Sequence, residues 1–333
     1  MDLRVLELVR RRRRRRPVRP RWLALPLGLA ALAAAGFFGT RSHSKPAAPP
    51  PPHERRVHRR PVRAVRVPAR AHPRPQRLLF GPPLVRRAVA VTASAAIVVD
   101  ADTGRVLWSK HAHGRRAIAS TTKIMTAVLA LQRLRPHDVV VVPREASRVP
   151  LVREGLRPGE RVQAWKLFYG MLLYSGNDDA LALAVATAGT KRRFIAEMNA
   201  EAKRLGLEQT RFASTSGVID AGNYSSAWDL AALARVAMRD RRFRAIVRRR
   251  RIEVSWAAPT FAKIYVNKNR LLWLYPGATG VKTGYTERSG PCIVASATRH
   301  GVSLLAVVLN SRNEYADAAR LLDVGFRTLH VRR

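Results

Sequence analysis

Cysteine is almost missing from this chain: Cys292 is the single one among 333 residues. That excludes an intramolecular disulfide and any zinc site built on cysteine. The nine histidines show no HExxH or comparable spacing, so no metal and no cofactor is expected. Cys292 lies in the apolar run "PCIVASAT" and reads as a core residue. Acidic residues are scarce too, with 22 Asp and Glu against 62 Lys and Arg, a net charge of +40. Residues 1–90 hold 23 Lys/Arg and 3 Asp/Glu, so the first quarter of the chain carries half of that charge. Such a balance can mark a nucleic-acid binder. Here the basic residues are spread out or linked by proline and form no recognition-helix or RNA-motif pattern, so no nucleic-acid partner is expected. No segment repeats. Hydrophobic residues, at 47 %, are enough for a sizeable core.

The N-terminal region divides by composition. Residues 1–21 include seven consecutive arginines, 10–16, and residues 22–39 carry no charge at all. A basic flank before an apolar segment is a signal peptide or a membrane anchor. Ala33-Ala34-Ala35 offers a cleavage site, whereas the apolar run continues to Phe38, so both readings stay open. Lys and Arg number 10 in residues 2–21 and 5 in residues 40–59, which places the N-terminus in the cytoplasm and the rest outside. Residues 40–90 form a Pro- and Arg-rich linker, with 11 of the 21 prolines between Pro46 and Pro83. Such a segment is expected to be disordered and extended, at about 3.1 Å per residue.

The folded part is expected over 91–333. "ASAAIVVD" and "RVLWSK" read as a strand pair around the turn "ADTG", where Asp100 and Asp102 belong to the turn. "AWKLFYGMLLYS" and "ALALAVATAG" read as helices, the second closed by Gly189. "TKRRFIAEMNAEAKRLGL" has Thr190 as its cap and Gly206 as its stop, and Ser226 and Asp229 stand in capping-box spacing before another helix. "PCIVASAT" and "VSLLAVVLN" are strands, and "EYADAARLLDVGFRTL" is a closing helix. Strands at both ends with helices between suggest one domain, in which N- and C-terminal strands share a sheet against a helical cluster. Trp228, Trp273 and Tyr275 read as packing residues, and His111 and His113 as solvated.

Three short motifs could carry chemistry. Ser120 and Lys123 stand at i and i+3 where an apolar helix begins, and so share a face. They could be a helix cap and a surface cation. They could also be a nucleophile and its base, because an apolar setting helps a lysine lose its proton and a neutral lysine can take the serine's. "YSGNDDA" places Ser175 and Asn177 in a polar turn between apolar helices, either a plain link or a second hydroxyl and an amide. "GVKTGYTERSG" puts Lys282, Thr283 and Gly284 at a strand end, where they could meet a substrate carboxylate and a ligand backbone.

In this order SxxK, SxN and KTG form the signature of penicillin-binding proteins and class A β-lactamases. The text around them, "IVVDADTGRVLWSKHA", "ASTTKIMTAVLAL", "LLYSGNDDALALA" and "NKNRLLWLYPGATGVKTGYTERSGPCIVASATRHG", resembles the serine D-alanyl-D-alanine carboxypeptidases. The resemblance implies an α+β fold of the β-lactamase/transpeptidase type. It implies that Ser120 forms an acyl-enzyme, with Lys123 as base and Ser175 passing a proton to the leaving amine. Asn177 would bind a substrate amide. Lys282 and Thr283 would hold the terminal carboxylate. Gly284 would let the substrate backbone approach. The amides of Ser120 and Tyr285 would form the oxyanion hole. The implied partners are a peptidoglycan stem peptide ending in D-Ala-D-Ala and β-lactams as inhibitors, with membrane contact through residues 22–39, extracytoplasmic placement and a monomeric state. A D,D-endopeptidase, a β-lactamase or a non-catalytic wall protein would be alternatives. A β-lactamase needs a loop glutamate, and Glu197, within an expected helix, does not stand where that residue would. Two departures stand out: Ile118 replaces the proline usual before the Ala-Ser pair, and Asp179 stands where the family usually has alanine.

Overall fold

In a computed structural model of the chain, which describes residues 78–218, 222–256 and 262–330, the first apolar run forms β1 (Ala95–Asp100). Strand β2 (Val106–Lys110) folds back on it antiparallel. Asp100 Oδ1 accepts from the amides of Asp102 and Thr103, both at 2.9 Å, and closes the turn. A 3-10 turn (Ala119–Thr122) then leads into α1 (Lys123–Arg133). The ribbon β3 (Val139–Val141) and β4 (Arg161–Gln163) brackets a long loop before α2 (Ala164–Tyr169). Helices α3 (Asn177–Ala188) and α4 (Lys191–Arg204) follow, then α5 (Ala227–Ala237) and α6 (Arg241–Val247). A second ribbon, β5 (Arg251–Ser255) and β6 (Ala262–Val266), and the one-turn α7 (Leu271–Leu274) precede the C-terminal strands. These are β7 (Ala278–Gly284), β8 (Cys292–Arg299) and β9 (Val302–Leu309), and α8 (Glu314–Thr328) comes last.

The five long strands form one antiparallel sheet in the order β2-β1-β9-β8-β7. N- and C-terminal strands therefore share a sheet, as expected. Period-two alternation sorts the side chains. Ile97, Val99, Leu305 and Val307 face the helical cluster, while Ala96, Val98, Leu304 and Ala306 face α8. Cys292 is fully buried in β8. The caps form as read: Thr190 Oγ1 accepts from the Arg193 amide at 3.2 Å and Ser226 Oγ from that of Asp229 at 3.0 Å. The return half of the capping box is absent, because Asp229 Oδ2 takes the Gln209 amide and the Thr210 hydroxyl.

Three expectations need correction, and one feature went unread. Residues 78–90, read as the end of the linker, are docked on the domain. Leu78 and Leu79 are buried, and the Val85 amide donates to Leu107 O at 2.9 Å. The helix expected through Ser175 changes winding at Gly170–Tyr174, a π turn. The two short ribbons had no reading in the sequence. Trp273 is 45 % exposed and is not a packing residue. Residues 1–77, with the apolar segment 22–39 and most of the linker, lie outside the described residues. Among the described residues no helix is long and apolar enough to cross a membrane.

Candidate active site

Ser120 lies in the 3-10 turn that opens α1. Ala119 before it has φ +45°, a left-handed conformation that costs a non-glycine residue energy and is typical of turns that must aim one side chain. Gly217 packs against this turn, where a Cβ would collide with the Ala119 carbonyl. Lys123, the first residue of α1, has no exposed surface. Its Nζ lies 2.9 Å from Ser120 Oγ, 2.8 Å from Asn177 Oδ1 and 3.2 Å from Ser216 O. A neutral amine fits this set in full: its two N–H groups serve the two carbonyl oxygens, and its lone pair faces the serine hydroxyl. Burial, with the charge of Lys282 second, holds Lys123 well below the usual lysine range, and a charged carboxyl at Asp179 would pull the other way.

Asn177 opens α3 and is 2 % exposed. Its Nδ2 donates to Pro150 O at 2.9 Å and its amide N–H to Val152 O at 2.8 Å, so the side-chain oxygen must face Lys123. Ser175 ends the π turn at φ +75°. Lys282 reaches it from β7, one of the two edge strands of the sheet, with Nζ donating to Ser175 Oγ at 3.1 Å and to Thr283 O at 3.0 Å. Burial, then repulsion from Lys268, brings Lys282 down to about 7. Gly284 lets β7 close on the nucleophile turn: a Cβ there would lie 3.0 Å from the Ser120 amide nitrogen. Thr283 is half-buried, and Tyr285 is 66 % exposed just past the strand end.

Hydrogen bonds thus join Ser120, Lys123 and Asn177, and Ser175 and Lys282, while Gly284, between Thr283 and Tyr285, lies against the Ser120 turn. Sequence reasoning missed two contributors. The Ser216 carbonyl holds Lys123, and a backbone atom leaves no side-chain signature. The loop 150–156 is stitched to α3 by Asp178, whose carboxylate accepts from the amides of Glu154, Gly155 and Leu156 at 2.9, 2.8 and 3.1 Å. Glu197 on α4 pairs with Arg133 at the end of α1 at 2.5 Å and with Arg193 at 3.2 Å.

The family described as D-alanyl-D-alanine carboxypeptidase (peptidase S11) matches residues 83–313. The chain belongs to this family. It is 33 % identical to the Bacillus subtilis D-alanyl-D-alanine carboxypeptidase DacF over 248 residues, 72 % of this chain and 63 % of that protein. It is 34 % identical to the D-alanyl-D-alanine carboxypeptidase of Streptomyces sp. K15, covering 71 % of this chain and 88 % of that protein. The crystal structure of the Streptomyces K15 DD-transpeptidase superposes with a TM-score of 0.69 at 32 % identity, covering 72 % of this chain and 99 % of that one. The chain thus spans under two thirds of DacF and nearly all of the K15 structure. The mixed fold and antiparallel sheet are those of the family.

Proposed function

We propose that this chain removes the terminal D-alanine from peptidoglycan stem peptides through an acyl-enzyme on Ser120. The observation that carries this reading is the Lys123 amine held between Ser120 Oγ, Asn177 Oδ1 and Ser216 O. Ser120 Oγ attacks the carbonyl carbon between the two D-alanines, and its proton passes to Lys123 Nζ. The negative oxygen that develops is taken by the amides of Ser120 and Tyr285, donors worth roughly 3–4 kcal/mol each where preorganised. The C–N bond then breaks. The proton taken up by Lys123 passes by way of the Ser175 hydroxyl, which Lys282 contacts at 3.1 Å, to the departing amine, and Lys123 is neutral again. A charged Lys282, with the Thr283 hydroxyl, pairs with the terminal carboxylate, and Asn177 orients a backbone amide. Water attacks the ester, releases the shortened peptide and restores Ser120. A β-lactam acylates the same oxygen by the same first step. The work is extracytoplasmic, with residues 22–39 serving as export signal or anchor.

The test uses labelled penicillin on the full chain beside Ser120→Ala, followed by an assay of D-alanine release from a pentapeptide. Labelling of the wild type alone, with D-alanine released, is the expected result. Labelling that survives Ser120→Ala sinks the mechanism. The K15 protein is called a transpeptidase in its crystal structure, so an amine acceptor belongs in the same assay. D-Alanine released with transfer to the acceptor, and little hydrolysis, would assign transpeptidation instead.

A further inference from the structure

Asp179, one of the two departures from the family text, is fully buried behind the Ser175–Asn177 turn. Both its oxygens, and Oε2 of Glu154, are buried with no ordinary donor within reach. Buried polar atoms without partners call for an explanation. The two carboxyls crowd the same small space. A Cβ on Gly170 would lie 2.5 Å from Asp179 Oδ1 and 2.5 Å from Glu154 Oε2, and one on Gly176 would collide with Asp179 Oδ2. Two carboxylates offer only acceptors to each other, whereas a carboxylic acid and a carboxylate make a strong hydrogen bond. One proton between them satisfies the orphaned oxygens.

We propose that Asp179 and Glu154 are positioning residues of the acyl-transfer site: one proton shared by their carboxyls latches the 150–156 loop and the β5–β6 ribbon to the Ser175–Asn177 turn. The latch rests on the reading of Ser120 and Lys123 given above. Glu154 is its hub. Its Oε1 accepts from the Tyr265 hydroxyl and pairs with Lys263 Nζ at 3.2 Å, both on β6. Those partners favour the carboxylate on Glu154, so the proton resides on Asp179. Burial, then the neighbouring Glu154, pushes Asp179 well above the usual carboxylate range, and burial raises Glu154 too. The other charged neighbours are Asp178, committed to three loop amides, and Lys123 across the turn. Arg153 and Lys268 line a surface pocket together with Glu154 and the rest of the loop.

Two consequences reach the chemistry. The loop carbonyls of Pro150 and Val152 hold Asn177, and Asn177 holds Lys123. A protonated Asp179 also places no anion behind Lys123, where a charged one would raise its proton affinity and weaken it as a neutral base.

The experiment measures penicillin acylation of the full chain for wild type, Asp179→Asn and Asp179→Ala. Difference infrared spectra of wild type against Asp179→Asn at neutral pH accompany it. Asn is neutral and can donate to Glu154, so it should keep near wild-type rates. Ala, the residue usual in the family here, leaves Glu154 without its partner and should slow acylation on the order of tenfold. The spectra should show a buried carboxylic acid band in the wild type that is lost in Asp179→Asn. An Asn variant as slow as Ala, an Ala variant as fast as wild type, or no such band overturns the latch. Labelling that survives Ser120→Ala overturns the site reading beneath it, whatever the variants at 179 do.

Discussion

Lys123 must accept a proton in a place where burial, with the charge of Lys282 second, weakens its hold on one. Acylation should therefore rise with pH as Lys123 becomes neutral. It should fall again as Lys282, which titrates at about 7, loses the charge that binds the carboxylate. Lys268 repels the proton on both lysines. Removing its charge eases protonation of each, so Lys268→Gln should move both limbs to higher pH. Stopped-flow acylation across pH checks this, and limbs that stay in place would count against the coupling. Lys123→Arg separates base from cation. Arginine keeps the charge but cannot be deprotonated, so acylation should drop by about 10²–10⁴-fold, the usual weight of a general base. The Ser120, Ser175 and Lys282 side chains were legible in the sequence because each hydroxyl or amine stands in a short fixed pattern. The carbonyl of Ser216 and the carboxyl of Glu154 were not. The first is backbone, and the second acquires its partner only through the fold.

Elements are tied to one another by a few buried polar anchors. Asp317 on α8 is fully buried, and its Oδ2 accepts from the Thr92 amide at 2.9 Å, the Thr92 hydroxyl at 2.8 Å, the Ala93 amide at 3.0 Å and the Ser311 hydroxyl at 2.7 Å. It fastens the last helix to the start of the first strand. Asp317→Ala leaves these donors unpaired and should destabilise the chain by roughly 3 kcal/mol or more, read by urea unfolding. Ser226→Ala, which removes only a helix cap, should cost about 1 kcal/mol. A difference in that order would support the anchor, and equal losses would refute it. The long strands and most helices were readable because each has a strong period and a cap or a stop. The ribbons β3–β4 and β5–β6 were not. Strands β3 and β4 are three residues long, and the β5–β6 strands, five residues each, alternate weakly because Ile264 and Val266 face outward, 54 % and 52 % exposed. The π turn at Gly170–Tyr174 keeps a helical period in sequence, so only the structure reveals it.

For the whole molecule, the boundary between linker and domain matters most. Composition placed it at residue 91, because Pro82, Pro83, Arg86 and Arg87 look like the segment before them. Packing places it earlier. Arg235 on α5 donates to Leu78 O at 2.8 Å, to Ala101 O at 2.7 Å and to Asp102 O, and Phe80 bridges to Arg105 beside β2. Burying Leu78 and Leu79 contributes roughly 3–6 kcal/mol together. A chain begun at residue 91 should therefore melt well below one begun at residue 78. Equal melting temperatures would show that the docked segment adds nothing.

That docked segment also decides where a pull on the molecule would act. The described chain begins beside β2, at one margin of the sheet, where Phe80 bridges to Arg105, while Lys282 and Gly284 lie on β7 at the other. Four strand spacings of about 4.8 Å separate the two margins, roughly 19 Å. A load carried by the leading chain would be borne by the β2 margin and the Arg235 clasp. The strand that carries Lys282 and Gly284 would lie outside that load path.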